Sequence, residues 1–359
     1  MTVRVIQWAT GAIGRVALRH VIDSPELELV GLKVHDPDKV GRDAGELVKR
    51  SATGVIATDR LGDVLALDAD VVLHLPLNGA SPDEHVDDLE RLLRSGKNVI
   101  TTVGFTYPRA VDAARSERLE TAALAGGATL LGYGMNPGFM AERLGVLLTG
   151  MCTQVKSLSV QETYDCTPVA SEGFIYDLCG FGVTEEEYWQ SASGRRAFFA
   201  SLFGETLGYL VDTLQLPVDR VQEEHRAVIA QSDVQTGAGV IRTGTVRGVV
   251  WQWHAMKDAD KVLTVRMVWF TGEPEEGWRD GWQIRIDGAP RVHMDLEWLD
   301  PIGLPEKSKA VQYATAGPVV RAIPEVVAAE PGILTPPTWA AYRGPGAPDS
   351  STLFQRTHG

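Results

Sequence analysis

The segment Trp8-Ala9-Thr10-Gly11-Ala12-Ile13-Gly14 sits directly between a strand-like run, Val3–Trp8, and a run with helical periodicity. Its spacing is that of G-x-G-x-x-G with Ala9 at the first glycine position. In a strand-to-helix turn of this kind the second glycine, Gly11, lets backbone approach a pyrophosphate, and the third, Gly14, lets helix and strand pack closely. The amides of the first helical turn have no intrahelical acceptor and attract negative charge. Ala9, Thr10, Gly11, Ala12, Ile13, Gly14 and Arg15 are therefore expected to bind a dinucleotide, with Arg15 adding a phosphate contact.

Strand and helix signals alternate with short connections through about residue 135, which predicts a parallel sheet covered by helices on both faces. Strands are expected at 3–8, 27–34, 54–58, 70–75, 98–102 and 128–132. Ser81-Pro82-Asp83-Glu84 predicts a helix start with Ser81 as N-cap, Pro82 at the first position and Glu84 closing a capping box; Gly96 marks its end. Beyond residue 150 the pattern changes. Thr184 with Glu187 reads as a capping box, Arg195 to Leu214 as a helix, and 240–300 as strands of period two. In Val249-Val250-Trp251-Gln252-Trp253-His254-Ala255 the odd positions are apolar, while Gln252 and His254 face the other way. Helical periodicity returns at 306–315 and 318–329. The expected fold class is α/β: a Rossmann-type doubly wound parallel sheet with a second α+β domain on a mixed or antiparallel sheet.

A chain of 359 residues has room for two such cores. Its 34 Lys and Arg against 47 Asp and Glu give a net charge of −13 with no basic block, which argues against a nucleic-acid partner. No apolar run reaches the roughly 18 residues of a membrane span. The opening Thr2-Val3-Arg4-Val5-Ile6 enters a strand pattern without signal-peptide features, so a cytoplasmic location is expected. Cys152, Cys166 and Cys179 form no Cys-x-x-Cys pair; no structural metal is expected, and buried thiols are.

Cofactor choice is read at the end of the second strand, where a carboxylate would hold the ribose hydroxyls of NAD and a cation the extra phosphate of NADP. Val34 and His35 stand there, Asp36 follows, and Lys33, Lys39 and Arg42 are near. With no carboxylate at the strand terminus, NADP is favoured over NAD. The ends of the next strands bring His74 and Pro76, Thr102 and Gly104, and Asn136 to the crevice where open α/β sheets bind ligands. Asn136-Pro137-Gly138 could present an amide side chain to nicotinamide or substrate, or could be a simple turn.

Four motifs together carry a resemblance. They are Gln7 through Arg15, Asp36-Pro37-x-x-Val40-Gly41-Arg42-Asp43, Asn136-Pro137-Gly138-Phe139 and Ala322-Ile323-Pro324-Glu325-Val326 with Pro331-Gly332. In these the chain resembles 2,4-diaminopentanoate dehydrogenase and the native amine dehydrogenases, over most of residues 1–340. The resemblance implies a dihydrodipicolinate reductase-like nucleotide domain at 1–140, completed by C-terminal helices in 305–343. It implies a substrate and dimerisation domain at 141–304, leaving 344–359 as a loose tail, and a homodimer that interconverts an amine with a carbonyl compound and ammonia by hydride transfer. The amine-forming members carry a glutamate just before a Tyr-Pro pair; this chain keeps Tyr107-Pro108 but reads Val103-Gly104-Phe105-Thr106 ahead of it. Acid–base work then falls to Tyr107, His254 or Glu162 as candidates. The expected substrate is a fairly apolar small molecule, since the chain has many aromatics and no arginine cluster. Ammonia-independent carbonyl or alcohol oxidoreduction, and a non-catalytic NAD(P)-binding sensor, are the alternatives.

Overall fold

The structure is a computed structural model that describes residues 2–77, 83–304, 308–345, 350 and 353. The chain divides into two compact units. The first takes the chain up to residue 77, Asp83–Phe139 and Trp298–Pro337; the second takes Met140–Glu297 and the described residues from Thr338 onward.

In the first unit, β1 (Val3–Trp8), β2 (Leu27–Lys33), β3 (Ala57–Thr58), β4 (Val71–His74), β5 (Asn98–Thr101), β6 (Thr129–Gly132) and β15 (Gly332–Ile333) form one sheet in the order β15-β6-β5-β4-β1-β2-β3. All its pairings are parallel. Every expected strand is present, with ends trimmed by up to three residues. The helices α1 (Ala12–Asp23), α2 (Ala44–Leu47), α3 (Leu61–Ala66), α4 (Val86–Arg94) and α5 (Ala113–Gly126) follow successive strands. Strands buried on both faces read as near-continuous apolar runs, and Val71-Val72-Leu73 is one. Val72, Leu89, Leu92 and Leu119 build the core on one face. Val71, Leu73, Val16 and Val21 build the other, where α9 (Ala310–Arg321) and α10 (Ile323–Ala328) contribute Val319, Ile323 and Val326. The chain thus returns to complete the core of the first unit. Ser81 and Pro82 of the expected helix start lie outside the described residues, and the described helix begins at Val86 after His85. Gly96 takes φ +81° and closes that helix through its N–H to Leu93 O.

The second unit has α6 (Val146–Thr149), β7 (Gln154–Asp165), α7 (Glu185–Gln190), α8 (Ala192–Leu214), β8 (Arg220–Ile229), β9 (Val234–Thr236), β10 (Gly239–Ile241), β11 (Val246–Lys257), β12 (Asp260–Phe270), β13 (Gly281–Ala289) and β14 (Val292–Leu296). Six strands form a mixed sheet in the order β14-β13-β7-β12-β11-β8, and β9 and β10 form a separate ribbon. The Thr184–Glu187 capping box is present in both directions. Period-two alternation divides the sheet. Trp251, Trp253 and Trp269 pack against Phe199 and Phe203 of α8, with Phe203 stacked on Trp253 at 4.6 Å. On the opposite face Glu224, Gln252, Arg266, Gln161, Gln283 and Asp295 form a polar row that crosses all six strands in register.

Part of the segment expected to be a loose tail is fixed. Gly344 N–H donates to Leu214 O, the Ser350 hydroxyl donates to Asp212, and Leu353 is buried. The three cysteines are free and buried. Among the described residues no cluster of three His, Cys, Asp or Glu could hold a metal, and no helix is long and apolar enough to cross a membrane.

Candidate active site

At the end of β1, Ala9 takes φ +75°, a left-handed conformation that glycine adopts freely and alanine does not. The surroundings hold it there: its N–H donates to Lys33 O at 2.8 Å, and the buried Gln7 amide donates to its carbonyl at 2.9 Å. The first glycine of the fingerprint is thus replaced by a residue that keeps the glycine conformation. Gly14 is obligatory, because a Cβ there would lie 2.3 Å from Ala9 O. At Gly11 a Cβ would meet nothing within 4 Å, so the protein leaves open space beside the first-turn amides of α1. A helix N-terminus with free amides, a close-approach glycine and an open flank fits a pyrophosphate.

The strand order places the other expected cofactor residues along the same edge, because β6, β5, β4, β1 and β2 are consecutive neighbours. His74 ends β4 fully buried, with Nδ1 2.9 Å from Thr101 Oγ1, and Pro76 follows it. Burial pushes the His74 pKa well below the ordinary imidazole range, and His85, His35 and Lys33 push the same way. After β5, Thr102 and Gly104 lead into a loop in which Gly104 and Phe105 both have positive φ. After β6, Asn136 lies between Gly134 and Gly138, which form an isolated bridge. At the end of β2, His35 is exposed and accepts a hydrogen bond at Nε2 from the Trp8 indole N–H at 3.2 Å. Of the cations expected to favour NADP, Lys33 is buried with Nζ 4.5 Å from the Trp8 ring centre, Lys39 pairs with Asp36 at 3.2 Å, and Arg42 is exposed. Sequence reasoning missed the Trp8–His35 bond and the position of Lys33. Lys33 and His35 share one face by strand periodicity; nothing in the sequence says that Trp8 lies between them.

Tyr107 is buried in the first unit, and its phenol oxygen accepts a hydrogen bond from Arg109, whose guanidinium lies over its ring. A cavity of about 610 Å³ in the same unit is lined by Leu131, Tyr133, Met135, Phe139, Trp298 and Tyr313, with Arg321 and Glu325 also on its wall. Met135 and Phe139 flank Asn136 in sequence, so the cavity borders the loop that follows β6.

In the second unit the two remaining catalytic candidates lie on opposite faces of the sheet. Glu162 is in register with Met267, which is in register with Trp251, so it belongs to the aromatic face. It is buried and accepts from the Trp269 indole N–H at 3.2 Å. Tyr164 and Phe174 continue that wall, Phe174 lying 5.3 Å from Trp269. His254 is on the polar face, buried, with Nδ1 2.9 Å from Thr264 Oγ1 and Nε2 3.0 Å from Lys261 Nζ. Burial and the Lys261 ammonium lower its pKa against the opposing pull of Glu224. Glu162 and His254 cannot serve one site together.

Comparison with known proteins agrees with this architecture. The 2,4-diaminopentanoate dehydrogenase C-terminal domain matches residues 139–340 and the dihydrodipicolinate reductase N-terminal domain matches residues 4–123. The chain belongs to the 2,4-diaminopentanoate dehydrogenase family. It is an NAD(P)-dependent oxidoreductase. It is 28% identical to an amine dehydrogenase of Streptomyces virginiae over 92% of this chain and 94% of that protein. It is 22% identical to 2,4-diaminopentanoate dehydrogenase of Acetoanaerobium sticklandii over 93% and 92%. The solved amine dehydrogenase of Mycobacterium smegmatis superposes with a TM-score of 0.76 at 21% identity, covering 93% of this chain and 95% of that one. The scyllo-inositol dehydrogenase of Lactobacillus casei, solved with NAD(H) and scyllo-inositol, gives 0.55 at 12% identity over 91% and 88%, which marks the shared fold.

Proposed function

We propose that this oxidoreductase carries out reductive amination of a fairly apolar ketone or aldehyde, and the reverse oxidation, with Glu162 as its acid–base carboxylate. The observation that carries this reading is the buried Glu162 on an aromatic wall, in a chain without the carboxylate that its amine-forming relatives carry before the Tyr-Pro pair. Ala9 through Arg15, His35, His74, Pro76, Thr102, Gly104 and Asn136 would hold the nicotinamide cofactor along the strand edge, which when bound supplies or accepts the hydride. NADP(H) is the preferred form and NAD(H) the second. Condensation of the carbonyl with ammonia releases water and leaves C=N. As the carbon gains a hydride, the nitrogen gains a proton from an acid–base group of the protein, which recovers one from solvent. The apolar cavity bordered by Met135 and Phe139 suits the hydrocarbon part of such a substrate.

Loss of NADPH absorbance with ketones and aldehydes, with and without concentrated ammonium, tests this. Ammonium-dependent turnover with amine product is expected. Turnover indifferent to ammonium favours a second reading, carbonyl reduction with Tyr107 as proton donor, for which the Arg109-bound phenol is the supporting observation. A homodimer in the cytoplasm is the setting this reading expects, and sedimentation at assay concentration tests the dimer.

A further inference from the structure

We propose that Trp8 holds His35 as a neutral imidazole and that NADP(H), unlike NAD(H), binds with uptake of a proton at His35. This rests on the reading that a nicotinamide dinucleotide occupies the strand edge described above.

An indole N–H donates and never accepts. Because Trp8 Nε1 lies 3.2 Å from His35 Nε2, that nitrogen must present its lone pair. The neutral ring therefore carries its proton on Nδ1. A second proton would set N–H against N–H and break the bond, so Trp8 opposes protonation directly. The groups around the ring divide as follows. Partial desolvation by the surrounding groups is the largest influence and opposes a charge on His35; Lys33 of β2 and His85 before α4 also oppose it, and Asp88 of α4 favours it. Lys33 itself lies under the Trp8 ring and Lys39 is paired with Asp36. At the position that distinguishes the two cofactors the structure thus supplies a titratable ring, with Arg42 exposed nearby. A ribose hydroxyl accepts or donates a hydrogen bond with neutral His35 and needs no proton. A phosphate dianion compensates a cation, and it supplies what the Trp8 bond withholds.

It follows that discrimination between the cofactors varies with pH. Between the pKa of His35 in the free protein and its value in the complex, NADP(H) affinity should fall by up to about tenfold per pH unit, while NAD(H) affinity stays level. The second ionisation of a phosphate ester, near pH 6, sets the lower edge of the window.

The test is calorimetric. Dissociation constants of NADPH and NADH are measured at pH 6.5, 7.25 and 8.0, in buffers of different ionisation enthalpy, for the natural protein, His35→Gln and Trp8→Phe. The NADH-to-NADPH ratio of constants is expected to fall as pH rises, with proton uptake for NADPH alone. His35→Gln should flatten the pH dependence of the ratio and abolish the proton uptake, whatever its effect on the affinity for NADH itself. Trp8→Phe keeps the ring and removes the N–H, so the steep region should move to higher pH. If Trp8→Phe does not fold, His35→Gln decides alone. Equal pH dependence for both cofactors, or a slope that survives His35→Gln, overturns the proposal. Failure of both cofactors to bind the natural protein would overturn the underlying reading instead.

Discussion

Alanine substitutions at Gly11 and Gly14, three residues apart, should fail in opposite ways. At Gly14 the new Cβ would lie 2.3 Å from Ala9 O and 3.0 Å from the Ala9 carbonyl carbon, both backbone atoms. A carbon needs about 3.3 Å from an oxygen, so α1 must move about 1 Å from β1. Overpacking of this kind costs about 1–3 kcal/mol, or a fall in Tm of roughly 2–12 °C for a unit of this size. At Gly11 the Cβ meets nothing within 4 Å, and φ −67° with ψ −167° suits any residue. Gly11→Ala should therefore leave Tm within about 2 °C. Its methyl fills the space through which a pyrophosphate would reach the first-turn amides. Losing one or two charge-assisted hydrogen bonds of about 1.5–3 kcal/mol each raises Kd at least tenfold. Calorimetry with NADPH and thermal unfolding of both variants read the two effects separately. Unchanged affinity in Gly11→Ala would refute the placement of the phosphate, and unchanged Tm in Gly14→Ala would refute the packing.

Glu162→Gln should lower kcat for ammonium-dependent turnover by about 10²–10⁴-fold with little change in Tm; an unchanged rate would leave the proton transfer to another group. His225 stacks on Trp251, accepts or donates at Nε2 to the Tyr188 hydroxyl, and has a pKa lowered to about 3, mainly by burial. The folded state binds that proton less readily than the unfolded chain, so stability is complete above about pH 6.5 and declines as pH falls toward 3. His225→Phe should shrink the Tm difference between pH 7 and pH 5, and an unaltered difference would show that His225 titrates normally. Asp43 caps α2 and accepts N–H bonds from Gly45, Thr53 and Gly54, led by Thr53 in holding its pKa down. Its contribution is present above the ordinary carboxylate range and lost as pH falls through the lowered value; Asp43→Ala should cost about 1–2 kcal/mol by denaturant unfolding at pH 7.

The parallel sheet of the first unit was legible because its signals are local and mutually consistent. Val3–Trp8 was located to the residue, and the Thr184–Glu187 box and the Trp251/His254 alternation hold in the structure. What was not legible is non-local. That Lys33 lies beneath Trp8 depends on the neighbouring strand and helix, and that Ala9 can stand in for glycine depends on the amide of Gln7 reaching its carbonyl. Three cations near the end of β2 looked like a phosphate site in sequence; in space one is buried, one is paired and one is exposed.

In the loop after β5, positions 104 and 105 are poorly suited to a carboxylate. Gly104 has φ +100°, Phe105 has φ +60° and is buried, and the Cβ absent from Gly132 would lie 2.3 Å from Gly104 O. A side chain at 104 would be strained by its backbone, and one at 105 would exchange a packed aromatic ring for a charge. At those two positions the loop is committed to packing against β6, and a carboxylate is carried more readily by an element that alternates its side chains between two faces. A strand of period two is such an element. On β7 the alternation that buries Leu158 and Val160 in the core also carries Glu162 and Tyr164 onto the aromatic wall, while Gln161 and Thr163 go to the polar row. A one-residue shift of register would exchange the two sets. The position of the carboxylate is thus fixed by the same hydrophobic pattern that builds the sheet, which ties any catalytic role of Glu162 to the fold rather than to a loop.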